Sequence, residues 1–140
     1  MKGRSLLSVG ISLAMIFGVG SLNPVAAQPK AAVTRQIQFQ PGATSATIRG
    51  SVLLGKKDIY TFRARKGQTI IVDLDWQGER VGSENDEGLS GFTFVQPNGQ
   101  SFEDPQDNQF IGSATGTYRV IVAQPYRLTS PKYTLKLTIR

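Results

Sequence analysis

GSVLLGKKDIYTFRARKGQTIIVDLDW, Gly50 to Trp76, holds two runs of strict alternation separated by a glycine turn. In the first, Tyr60, Phe62 and Ala64 share one face, with Thr61, Arg63 and Arg65 on the other. In the second, Ile70, Val72, Leu74 and Trp76 share a face opposite Ile71, Asp73 and Asp75. Side chains of a β-strand point alternately to its two faces, so each run predicts a strand with one apolar stripe. Both stripes must enter the same core. If the two strands pair as a hairpin, a two-residue Lys66-Gly67 loop would send the stripes to opposite faces. The turn then needs an odd number of loop residues or a bulge, and Gly67 can supply the left-handed conformation a bulge requires. That register predicts Arg63 and Arg65 on the outer face near Ile71 and Asp73.

The same alternation recurs along the chain. Ala46 to Val52 can pair, with Ile48 inward, after Pro41-Gly42 ends a weaker run at Val33 to Phe39. Phe92 and Phe94 form a strand, Pro97-Asn98-Gly99 turns it, and Gln100 to Phe102 returns. Phe110-Ile111 is a short run. Tyr118, Val120 and Val122 share a face while Ile121 and Ala123 face the other way, which predicts a central strand. Tyr133, Leu135, Leu137 and Ile139 form the last stripe. No segment after the N-terminal region shows a helical period. Seven to nine short strands, punctuated by glycine and proline, predict an all-β fold: an antiparallel two-sheet β-sandwich, jelly-roll-like. Periodicity by itself would also permit a barrel.

Residues 1–27 read as a signal peptide. Lys2 and Arg4 precede an apolar run from Leu6 to Val19, and Val25 and Ala27 are the small residues before a cleavage at Gln28. The apolar run, about fourteen residues, falls short of the roughly 20 that a spanning helix needs, so no membrane span is expected after cleavage. The expected domains are the signal peptide 1–27, a lead-in with an edge strand over 28–38, and a sandwich over 39–140. The destination is secreted or periplasmic.

The predicted mature chain has 113 residues, enough for one domain with one core. It lacks cysteine and histidine, which excludes disulfides, cysteine-linked lipid, imidazole metal sites and histidine-based triads. It carries 14 Lys and Arg against 10 Asp and Glu, a net charge of +4. Nine of the ten acids lie between Asp73 and Asp107, where Arg80 is the only base. The balance favours loose attraction to anionic surfaces but not nucleic-acid reading, because there is no Arg-rich run and no paired stacking aromatics.

The ordered residues of the mature chain resemble those of the bacterial pre-peptidase C-terminal domain family, compact β-sandwich modules found beside secreted peptidases. The pattern runs from Phe39-Gln40-Pro41-Gly42 through Gly50-Ser51-Val52, Gly55, Asp58, Tyr60, Phe62, Ala64 and Gly67-Gln68. It continues with Pro97-Asn98-Gly99, then Gly116 to Val122, then Tyr133-Thr134-Leu135. The resemblance implies a β-sandwich accessory module, here standing alone without a peptidase. Some modules of this kind bind calcium through acidic loops or engage extracellular polymers.

Carboxylates form the only plausible reactive cluster. Glu84, Asp86, Glu87, Asp104 and Asp107 supply loop oxygens of the kind calcium takes, although their spacing matches no EF-hand and a solvated acidic loop is the favoured reading. A carboxylate pair could hydrolyse a glycoside if held at a suitable separation, but nothing in the spacing holds one. No serine sits in a nucleophile elbow, so no catalytic residue and no obligatory cofactor is expected, and the chain is not expected to be an enzyme. Asp58 is expected to cap the turn after Gly55. Tyr60, Phe62, Tyr118 and Tyr133 read as core residues, the three tyrosines with hydroxyls near a rim. Trp76, Tyr126 and Arg127 are the expected partner contacts, with Trp76 also suited to plugging the end of the sandwich. The expected function is a non-catalytic exported interaction module that binds a protein or an extracellular polymer such as a polysaccharide. The alternative is a calcium-stabilised structural module, and a carboxylate-based hydrolase stands third.

Overall fold

A computed structural model of the chain describes residues 32–82 and 89–140. The expected signal peptide and three of the five expected calcium ligands, Glu84, Asp86 and Glu87, lie outside these residues. Among the described residues no helix is long and apolar enough to cross a membrane.

The described chain is all β. Its strands are β1 (Ala32–Gln36), β2 (Ser45–Ser51), β3 (Lys57–Ala64), β4 (Thr69–Trp76), β5 (Phe92–Val95), β6 (Ser101–Glu103), β7 (Gln109–Ile111), β8 (Gly116–Val122) and β9 (Lys132–Ile139). They form two sheets, of order β1-β3-β8-β5-β6 and β2-β9-β4-β7. Every pairing is antiparallel except that of β1 with β3. Within β2–β9 the chain passes from sheet to sheet at every connection but one, the winding of a jelly roll. The exception is the β5–β6 hairpin, turned at Gly99, whose φ is +91°.

The apolar stripes meet between the sheets. Tyr60 and Phe62 of β3 and Tyr118, Val120 and Val122 of β8 face Ile70 and Val72 of β4 and Tyr133, Leu135 and Leu137 of β9, all buried. Full burial of one such side chain contributes about 1.5–3 kcal/mol. Phe94 of β5 stacks on Phe110 of β7 with centroids 4.1 Å apart, which ties the two sheets together at one margin. β8 and β9 lie inside their sheets, paired on both sides.

Two local expectations are corrected. β3 and β4 do not form a hairpin: β3 pairs with β1 and β8, β4 with β9 and β7. The turn at Gly67, φ +89°, is an arch from one sheet to the other. The parity rule constrains only strands of one sheet. Strands in facing sheets bring their stripes together from opposite sides whatever the loop length, so Arg63 and Ile71 lie on opposite outer faces. Asp58 does not cap its turn either. It is buried, and its Oδ2 accepts a 2.5 Å hydrogen bond from the Tyr133 hydroxyl across the sandwich. Tyr60 Oη lies 2.6 Å from Tyr133 Oη and, with the Tyr133 proton given to Asp58, is the donor there.

Candidate functional site

Because the chain alternates between sheets, its connections gather at two ends. One end collects the segments 52–56, 77–91, 104–108 and 123–131. The described candidates for metal or partner contact lie in these segments or, for Trp76, on the strand that enters one of them. Loops carried on a rigid sandwich are the usual place for binding residues.

Trp76 closes β4 and is half-buried. Its ring packs edge-on against Tyr133, centroids 5.4 Å apart, and its Nε1 donates to the Ser90 carbonyl at 3.4 Å. A Cβ on Gly91 would come within 2.7 Å of that nitrogen, so the glycine makes room for the indole. Tyr126 lies under the guanidinium of Arg80, whose Cζ is 5.1 Å from the ring centroid, within the range of a cation–π contact. Arg127 is exposed, and its carbonyl accepts from the Val81 amide at 2.9 Å. That bond, the Arg80–Leu128 bridge and the Thr129 N–H to Glu79 C=O bond prolong the β4–β9 pairing past the sheet. The Tyr126 loop is thereby held by backbone. Gln124 ties it to a neighbour: its Nε2 donates to the Val52 carbonyl, 2.8 Å, and its Oε1 accepts from the Leu128 amide, 3.3 Å.

Between Val81, Leu89, Pro125 and Tyr126 runs a groove of about 470 Å³. Leu53, Leu54, Val81 and Leu89 are four of the five large apolar side chains most exposed among the described residues, from 38% for Leu89 to 64% for Leu53. All four belong to this end; only Ile111 lies at the other. Scattered exposed leucines need no explanation, but their collection at one end beside an aromatic and two arginines does. Neither Arg80 and Gln124 nor Leu53-Leu54 stand out as contact residues by sequence pattern. The signal present was the pair of leucines in a turn, where polar residues are usual.

The acidic residues are placed differently. Asp104 has a positive φ, +43°, and its Oδ1 accepts the Gly91 amide at 3.0 Å, closing the corner after β6. Asp107 is exposed in the same connection. Asp73 accepts from Asn108 Nδ2 at 2.7 Å. Among the described residues, no three acidic, cysteine or histidine side chains converge to hold a metal ion. Tyr133 has its phenol pushed far above the ordinary value by burial first, then by the bonds to Asp58 and Tyr60, so it stays protonated. It is a structural hydroxyl inside the core.

No protein-family profile matches the chain, and no curated protein sequence does. Solved structures do. A mutant of PliG-Ec, a periplasmic lysozyme inhibitor of g-type lysozyme from Escherichia coli, superimposes with a TM-score of 0.60 at 22% identity, covering 79% of this chain and 100% of that one. Aeromonas hydrophila PliG, a periplasmic lysozyme inhibitor of g-type lysozyme, does so with a TM-score of 0.55 at 26% identity, covering 78% and 97%. The pre-peptidase C-terminal domain of a Bacillus anthracis collagenase follows at a TM-score of 0.36, too distant to support membership of that family.

Proposed function

We propose that this chain is an exported, non-catalytic protein-binding module that docks a partner through the Leu53–Tyr126 end of the sandwich, and that the partner is a lysozyme of the g type. The observation that carries the reading is the match to the Aeromonas inhibitor, which spans 97% of that protein at 26% identity. The composition of the end supports it: tyrosine and arginine anchors beside exposed aliphatics are the make-up of interface hot spots. Export follows from the N-terminal pattern and agrees with the periplasmic location of the neighbours. The motif from Phe39 to Ile139 supports a shared scaffold with pre-peptidase modules as a second, coarser kinship. A polysaccharide partner has no comparable support.

The test is a lysis assay with the purified mature chain against g-type lysozyme, with a c-type enzyme beside it. The expected result is stoichiometric inhibition of the g-type enzyme. Arg127→Ala, whose side chain is exposed and makes no hydrogen bond or ion pair among the described residues, should weaken the complex by more than about 1 kcal/mol. Absence of binding to any lysozyme at micromolar concentration rejects the partner; full affinity in Arg127→Ala and Tyr126→Ala together rejects the surface.

A further inference from the structure

A second site lies away from that groove, on the lateral border of the sandwich where β1 of one sheet and β2 of the other run side by side. A groove of about 540 Å³ opens there, lined by Arg35, Arg49, Gly50, Ser51, Lys132 and Tyr133, with Gln77 at its end. Three of these are permanently or ordinarily cationic and none is acidic. We propose that this groove binds an oxyanion, the phosphate or sulfate group of a ligand.

Four observations carry the assignment. First, Arg35 stands in register with Tyr60 in the parallel β1–β3 pair, so it shares the core-facing side of its sheet. Ile37, two residues on along that side, is buried in the core, and Arg35 itself is exposed at the border. An arginine there meets the groove rather than bulk solvent alone. Second, the charge is not neutralised within the protein. No ion pair links Arg35, Arg49 or Lys132 to a carboxylate among the described residues. Two acids are near: Asp58, whose Oδ2 is taken by Tyr133, and Asp75, which flanks Thr134 on the side opposite Arg49; neither lines the groove.

Third, the border of β2 offers backbone donors. The Val52 amide bonds to Pro131 and the Thr44 carbonyl accepts from Ile139, so the even-numbered residues of β2 face β9. Antiparallel alternation then turns the N–H groups of Arg49 and Ser51 outward, to the groove. Guanidinium forks and amide N–H groups together are the donor set that phosphate and sulfate take. Fourth, the floor is rigid. A Cβ on Gly50 would fall 2.4 Å from Cζ and Oη of Tyr133, and the Tyr133 hydroxyl is held by Asp58 and Tyr60. The donors therefore stand on a surface that does not collapse into the space between them.

Calorimetric titration of the mature chain with inorganic pyrophosphate at low ionic strength tests this. The expected result is saturation at one site with a Kd tighter than about 1 mM. Arg35→Gln with Arg49→Gln should weaken it at least about tenfold. Lys132→Gln should weaken it less, and should do so with an unchanged melting temperature. The control, Lys136→Gln with Arg119→Gln, removes the same charge from exposed positions outside the groove and should leave the Kd within about twofold. Co-sedimentation with phosphatidylglycerol vesicles separates a lipid headgroup from a free phosphate: binding there that is lost in the Arg35/Arg49 variant supports the groove with lipid as the source. Absence of saturation with both probes overturns the proposal. So does an equal loss in the control pair, since binding would then follow net charge.

Discussion

The hydroxyl of Tyr133 links β9 to Asp58 and Tyr60 of β3, strands that belong to different sheets. Both partners are buried, so removing the donor leaves polar groups unsatisfied in the core. Tyr133→Phe is expected to cost about 1–3 kcal/mol in urea denaturation at neutral pH. Its pH dependence carries a definite sign. The folded-state phenol is raised above its unfolded value of about 10, so its contribution is fully present below pH about 10 and is lost as pH climbs toward the folded value. The difference in stability between wild type and Tyr133→Phe should therefore be constant at neutral pH and shrink in alkali. A difference that stays constant to pH about 11.5 would place the phenol in contact with water rather than in the core.

The strands differ in how they are held. β8 and β9, seven and eight residues long, have partners on both sides, β8 over four residues on its β5 side, whereas β6 and β7 are three-residue border strands. Native-state hydrogen exchange should be slowest in β8 and β9, approaching global unfolding, and faster in β6 and β7. Comparable protection in β6 and β9 would contradict the strand order. The arch between β3 and β4 rests on Gly67 at φ +89°, where an added Cβ meets no neighbouring atom within 4 Å. Gly67→Ala should thus cost only the backbone strain, about 1–2 kcal/mol, with no repacking. Thermal denaturation measures it, and an unchanged midpoint would show that the turn does not need the left-handed conformation.

The jelly-roll winding brings four connections to one end, and this assembles the proposed binding surface from residues far apart in sequence. Leu53 and Leu54 stand in one connection, Val81 and Leu89 in another, Tyr126 and Arg127 in a third. If that end docks a protein, replacing Leu53 and Leu54 by serine should weaken the complex by about 1–2 kcal/mol. Because both side chains are largely exposed, stability should change by less than about 0.5 kcal/mol. Binding by surface plasmon resonance, read beside a melting curve, separates the two effects; an unweakened complex would move the interface elsewhere. The basic groove adjoins this end at Ser51, Gln77 and Lys132 but shares no lining residue with the Val81–Tyr126 groove, so the Arg35/Arg49 and Leu53/Leu54 variants should act on different ligands.

Much of the architecture was legible in the order of residues. Alternation is local: Tyr60, Phe62 and Ala64, or Tyr133, Leu135 and Leu137, each announce a strand and its inward face whatever the neighbours. The same holds for the hairpin at Pro97-Asn98-Gly99 and for the interior position of the Tyr118 strand. Partnership is not local. Nothing in GSVLLGKKDIYTFRARKGQTIIVDLDW distinguishes a hairpin from an arch, because both deliver two stripes to one core. Packing of the whole chain chose the arch, and only then did Asp58 meet Tyr133, a residue 75 positions away. Of the proposed contact residues, Tyr126 and Arg127 stand out by type and by loop. Arg80, Gln124, Leu53 and Leu54 acquire meaning only where the winding sets their connections side by side. Arg35, Arg49 and Lys132 likewise converge because two border strands from opposite sheets run together.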